Sequence, residues 1–281
     1  MQELVETVIS DMEKGGKLPW ESPWFFAGVR NWKTGRAYRG MNVLSLARSM
    51  DMAQLQHGQF LTYKQAQEVG GQVKAGSHGF PVFFFTKVSL KDKETGDVDD
   101  VPIMRTFTVF GVEQVKGIEP KPGQARELTP NAMGDTIIKG SEATIRENGA
   151  ATFTPAYYQP SGDYISAPRR NLWKTDEAYY STLFHELIHW TAPKERANRP
   201  HKYEGDGRAF EELVAELGGA FLSSHVGFKY STQHSAYLAH WVSLLKDHKE
   251  SLYLAASKAQ KAVDFLLAKA GLIEQKDEAV A

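Results

Sequence analysis

His185 and His189 stand four residues apart in Leu183-Phe184-His185-Glu186-Leu187-Ile188-His189, where every other residue but Glu186 is large and apolar. Flanks of this kind bury a helix, and residues four apart on a helix share one face. A core does not take two imidazoles and a carboxylate unless they are paired or ligated. The spacing therefore asks for a buried helix that presents both imidazoles to one metal ion. Glu186 lies about 100° further round that helix. From there it can hold a water beside the metal but is not placed to ligate with the histidines. The chemistry this pattern fits is metal-assisted hydrolysis, with Glu186 as general base. Thr175, followed by Asp176 and Glu177, supplies the N-cap, and Pro193 closes the helix after Trp190.

A metal site of this kind needs a third protein ligand and an open position. The next predicted helix offers Glu211-Glu212-Leu213-Val214-Ala215-Glu216. Glu212 and Glu216 are one turn apart and share a face, so either can reach the histidines. Glu211 is rotated away and is expected on a solvated face. The segment resembles the second zinc helix of the gluzincin peptidases. On that match Glu212 is the third ligand, and Glu216 is the acid that hydrogen-bonds a ligand histidine. Gly218 and Gly219 follow and allow a close approach to a neighbouring helix. A hydrolase also needs a donor for the tetrahedral oxyanion. His201, Tyr203, His234, Tyr237 and His240 are available downstream. Tyr203, between the two metal helices, is the first candidate.

Composition narrows the alternatives. None of the 281 residues is cysteine, which removes disulfides, thiolate nucleophiles and thiolate-bound metals. No apolar run is long enough to span a bilayer, and the first residues lack the basic-then-apolar layout of a secretion signal. A cytoplasmic location with no membrane partner is expected. The net charge is −1, yet residues 14–87 hold ten basic residues against three acids, a net +7. That asymmetry fits either a local polyanion-binding surface or a solvated basic face.

Within the basic stretch, Trp20, Trp24, Phe25, Phe26, Arg30, Trp32, Lys33, Arg36, Tyr38 and Arg39 fall in twenty residues broken by Pro19, Pro23, Gly28 and Gly35. Rings that stack on bases, mixed with cations that track phosphates, hold single-stranded nucleic acid. A loop could equally bury those rings in a small core of its own. Trp24, Arg30, Trp32, Lys33, Arg36, Tyr38, Arg39, Asn42 and Lys64 form the candidate DNA-binding set. No groove-reading motif for duplex DNA is evident.

Elsewhere, pattern predicts helices over residues 2–14 and about 41–52, and a short helix opened by the capping-box pair Thr62 and Gln65. Strands are expected over 80–90 and 101–112, joined by a polar tip. A Pro- and Gly-rich linker follows, then a helix over about 131–147 and a hairpin from 151–158 to 163–167. Helices fill the rest: 175–190, 207–225 capped by Asp206, one beginning after Thr232, and one ending at Gly271.

Taken together, the chain resembles the ArdC-like antirestriction proteins of conjugative plasmids and the N-terminal part of TraC-type plasmid primases. The resemblance rests on Pro19-Trp20, Pro23-Trp24, Tyr38-Arg39-Gly40-Met41-Asn42, Phe60 to Ala66 and Gly76-Ser77-His78-Gly79. In the second half it rests on Tyr179 to Thr191 and Phe210 to Leu217. Ala192-Pro193 replaces the glycine usual in the family. The resemblance implies an α+β chain of two domains. An N-terminal mixed α/β domain that binds single-stranded DNA would cover 1–118, with a linker at 119–128. A mainly helical zincin-like metallopeptidase domain with a small hairpin or sheet would cover 129–281. It implies Zn2+ or another divalent ion such as Mn2+, a protein substrate of unknown identity, and protection of incoming plasmid DNA from restriction. The alternative is a non-proteolytic single-stranded-DNA-binding protein whose metal site is structural or vestigial.

Overall fold

The structure, a computed structural model, describes residues 2–15, 18, 20, 28–91, 98–121, 129–148, 155–199, 207–230 and 237–274. Two compact units result. One comprises residues 1–28, 39–44 and 123–275, the other residues 29–38, 45–122 and 276–281. One boundary falls at 122/123, inside the expected linker at 119–128, while residues 1–28 and 39–44 group with the C-terminal unit.

The unit centred on residues 29–122 is built on a four-stranded sheet of order β1-β2-β5-β4. β1 is Arg30–Asn31, β2 is Gln59–Thr62, β4 is Phe80–Lys91 and β5 is Val98–Gly111. β1 runs parallel to β2, and β5 is antiparallel to both β2 and β4. The long hairpin matches the two expected strands, and its tip at 92–97 lies outside the described residues. Helix α2, Met41–Ala53, begins in the other unit, and its later turns belong to this one. The short helix α3, Tyr63–Glu68, starts at the expected capping box. Thr62 accepts from the Gln65 amide, and the Gln65 side chain accepts from the Thr62 amide. Leu61, Ala66 and Val115 form a small core beneath it, flanked by Trp32, Val73, Phe110 and Ile118. β3, Gln72–Val73, pairs with β6, Val115–Lys116, beside that core.

The other unit is mainly helical. α1, Gln2–Gly15, packs on α7, Leu238–Asp247. α4 spans Pro130–Ser141, shorter than the helix expected to residue 147. It stops because Glu142 takes a left-handed conformation, φ 59°. The β-branched pair Thr144-Ile145 then opens β7, Thr144–Asn148, a strand the sequence reading missed. β8, Tyr157–Gln159, and β9, Tyr164–Pro168, form the expected hairpin with a shorter first arm; residues 151–154 of that arm lie outside the described residues. β9 is central, parallel to β7 and antiparallel to β8.

α5, Asp176–Trp190, lies against β8 and β9 and is capped by Thr175, which accepts from the Ala178 amide. α6, Gly207–Val226, packs against α5 and against α8, Ser251–Lys269. Small residues set the contact. A Cβ added at Gly218 would lie 2.7 Å from Ile188 side-chain carbons, and one at Gly219 would lie 2.9 Å from the Tyr230 ring. Among the described residues, no helix is long and apolar enough to cross a membrane.

Candidate metal centre

Three ligating side chains meet where α5 and α6 pack. His185 and His189 turn their Nε2 atoms toward each other at 3.1 Å. Glu212 brings Oε2 to 3.5 Å from the Nε2 of His185 and 3.6 Å from that of His189. Ligand atoms of all three lie within 4.8 Å of one another. Two imidazole nitrogens and one carboxylate oxygen at this spacing suit a four-coordinate divalent ion with one position open. Among the described residues, four carboxylates (Glu186, Glu211, Glu212 and Glu216) surround the two rings, against one buried cation, Arg199. A cation completes that charge balance, so the residues fit the metal on chemistry as well as geometry.

Carboxylates also stand behind the ligand rings. Glu216, fully buried, lies 3.6 Å from the Nδ1 of His185. It accepts hydrogen bonds from the Trp20 indole at 3.2 Å and the Tyr230 hydroxyl at 3.1 Å. Those two donors fix its position. Glu211 departs from the sequence expectation. It is buried rather than solvated, and its Oε1 lies 3.3 Å from the Nδ1 of His189. Arg199 donates to it at 2.9 Å and also reaches Ile188 O and Thr191 Oγ1. Arg199 thus ties Glu211 to the C-terminal turn of α5. A local helical wheel could not reveal this, because the partner comes from the loop after that helix.

Burial by itself lowers the pKa of His185, but Glu212, Glu216 and Glu186 outweigh it and push it up to about 10. His189 is likewise raised against burial by Glu211 and Glu212. Burial would raise the Glu212 carboxyl, yet the two histidines hold it well below the usual carboxylate range. The shifts are mutual: the carboxylates raise the two imidazoles, and the imidazoles lower the Glu212 carboxyl, each against burial. Glu186 is buried and accepts the Tyr158 backbone amide at 2.8 Å, which sets the carboxylate beside the β8 edge.

Of the oxyanion candidates, His201, Tyr203 and His234 lie outside the described residues. Tyr237 accepts from Arg208 at 3.2 Å and stacks on Trp241. The DNA-binding candidates separate. Trp24 lies outside the described residues. Trp32 donates to Glu119 O at 2.9 Å and carries Lys121 over its ring at 4.1 Å. Lys33 pairs with Glu68, and Arg39 pairs with Asp264. Asn42 is buried, Tyr38 is half-buried against Phe60, and Arg30 is half-buried. Arg36 and Lys64 are exposed. Sequence reasoning missed Trp20, Tyr230, Arg199 and Glu211 as supports of the metal centre. Trp20, named in the aromatic block but not in the DNA-binding set, is fully buried beside Trp241.

Fold and site together define a zincin-like metallopeptidase domain joined to a second, sheet-based unit. Residues 132–258 match the zincin-like metallopeptidase family, and residues 1–110 match the N-terminal domain of anti-restriction factor ArdC. The metal-free crystal structure of antirestriction ArdC from plasmid R388 is similar at 33% identity and TM-score 0.82, covering 98% of each chain. Its Mn(II)-bound structure matches at TM-score 0.80, covering 97% of this chain and 98% of that one. Two Escherichia coli DNA primases TraC are 33% and 32% identical over 95% of this chain. The chain spans only 20% and 27% of those primases. The chain belongs to the ArdC antirestriction family.

Proposed function

We propose that this protein binds single-stranded DNA and carries an active metallopeptidase site, and that the two together protect incoming plasmid DNA from restriction. The observation that carries the peptidase half is the convergence of His185, His189 and Glu212 with Glu186 one residue from the first ligand. Those three residues would hold Zn2+, or Mn2+ as in the R388 relative. A divalent ion bound there supplies Lewis-acid chemistry, lowering the pKa of water and polarising a peptide carbonyl. Glu186 takes the proton of the attacking water and delivers it to the leaving amine nitrogen. Glu216 and Glu211 hold the two ligand rings, each with Nε2 toward the centre. Trp24, Arg30, Arg36 and Lys64, with the half-buried Tyr38, remain the candidates for the DNA contact, and a DNA-bound protein is the substrate class this arrangement serves.

Glu186→Gln tests the peptidase reading. It keeps the shape of the site and removes the base. Metal content is expected to stay at the parent level, while protection of plasmid DNA entering a restricting host falls. Full protection with metal retained would show that the function is carried by DNA binding alone.

A further inference from the structure

We infer that the cleft on the four-stranded sheet of the unit formed by residues 29–38 and 45–122 is a pocket for one unpaired nucleobase, with Phe84 and Phe107 as its stacking rings and Arg105 as its phosphate contact. The inference rests on the reading that this protein binds single-stranded DNA, and it adds stacking rings on the sheet to the candidates of the aromatic and basic loop.

Strand register builds the cleft. β4 and β5 pair Phe84 with Arg105 and Val82 with Phe107, and Val109 pairs with Thr62 of β2. Side chains two apart on a strand share a face, so Val82, Phe84, Arg105, Phe107 and Val109 point the same way. Val82 and Val109 are buried and form the floor. Phe84 and Phe107 stand above them, each 44% exposed, with centroids 5.5 Å apart and planes at 78°. Adjacent Phe83, on the opposite face, is 7% exposed. Tyr38, Gln65 and Asn31 close the far side, leaving about 380 Å3, the scale of a small-ligand cleft.

Chemistry selects the occupant. Arg105 has no carboxylate partner among the described residues, and it stands at the lip of an apolar slot. The Oε1 of Gln65 accepts from Asn31 and from the Thr62 amide, which leaves its Nε2 as a donor on the rim. Residues 29–38 and 45–122 carry twelve basic residues against nine acids, five of those acids in the hairpin tip at 92–100. An apolar peptide would gain nothing from these cations. A nucleotide uses each part: a flat ring against phenyl rings, polar base edges against the amide, and phosphate against the guanidinium. A base stacked in a duplex cannot enter the slot, so the ligand is single-stranded.

The test compares two labelled strands of equal length, oligothymidylate and an abasic strand, by fluorescence anisotropy with the full chain. The abasic strand keeps the phosphates and lacks the rings. The parent is expected to prefer oligothymidylate by about 5- to 150-fold, the range of one base–aromatic stack. Phe107→Ala and Phe84→Ala are expected to lose most of that preference. Arg105→Gln is expected to weaken both strands alike and to lower the salt dependence by about one counterion. A parent with preference that Phe107→Ala retains would overturn the pocket and leave single-strand binding standing. A parent that binds both strands equally would do the same. A parent that binds neither strand would remove single-strand binding itself. Should a truncated variant unfold, 5-iododeoxyuridine cross-linking of the parent decides. Attachment at Phe84 or Phe107 supports the pocket, and attachment confined to other residues overturns it.

Discussion

At the residue scale, the metal centre is a set of paired roles. Each ligand histidine has its own carboxylate behind it, Glu216 for His185 and Glu211 for His189. Glu211 is also the counter-charge of Arg199, whose side chain is 1% exposed. Removing one member of a buried pair leaves the other uncompensated. Glu211→Ala is therefore expected to lower stability by about 3–5 kcal/mol in chemical denaturation. Glu211→Gln keeps the volume, and its metal affinity in calorimetric titration is expected to fall about 10- to 100-fold. Unchanged metal affinity in the glutamine variant would separate Glu211 from the site. A second residue-scale expectation concerns Glu113. Burial works to raise its carboxyl, but hydrogen bonds from its surroundings, including the Gln56 and His57 amides and the His57 ring, outweigh burial and hold it below the ordinary 4.5. A group depressed in the folded state stabilises above its unfolded pKa and loses that contribution as pH falls through the folded one. Parent and Glu113→Gln are thus expected to differ in thermal stability above pH 4.5 and to converge as the solution is acidified. A gap that persists in acid would contradict it.

At the element scale, helix starts were legible and some ends were not. Thr62 with Gln65, and Thr175 before Asp176, are local chemistry, and both caps form. Thr62→Ala is expected to cost about 1 kcal/mol in thermal unfolding, since the Gln65 amide loses its acceptor. The end of α4 at Ser141 was missed because no proline marks it and the left-handed position that closes it holds Glu142 rather than glycine. There the chain turns through Glu142, and β7 pairs with β9 some twenty residues on, a choice made by the sheet. The two metal helices were legible because four-residue spacing fixes a shared face without tertiary knowledge. Their separation depends on Gly218 against Ile188. Gly218→Ala is expected to destabilise by about 1–3 kcal/mol through overpacking. Metal affinity should fall with it, because Glu212 moves with α6. A Gly218→Ala protein as stable as the parent would mean the contact yields without strain.

At the scale of the whole molecule, what the sequence left hidden came from distant segments. Trp20 reaches Glu216 across 196 residues of chain, and Arg199 reaches back to α5. Neither contact has a spacing that pattern can read. The exposure of Phe84 was equally hidden, because the run Val82-Phe83-Phe84-Phe85 reads as uniformly apolar until the sheet separates Phe84 from the buried Val82 and Phe83. The two ligand histidines, the base and the third carboxylate were written in short-range order, and these meet in space. Elemental analysis of the purified protein, beside His189→Ala and Glu212→Ala, tests that meeting most directly. The parent is expected to carry roughly one equivalent of zinc or manganese, and both variants, still folded, to carry almost none. A folded parent that takes up no metal when zinc and manganese are supplied, or a Glu212→Ala protein that keeps its full equivalent, would contradict a centre held by His185, His189 and Glu212.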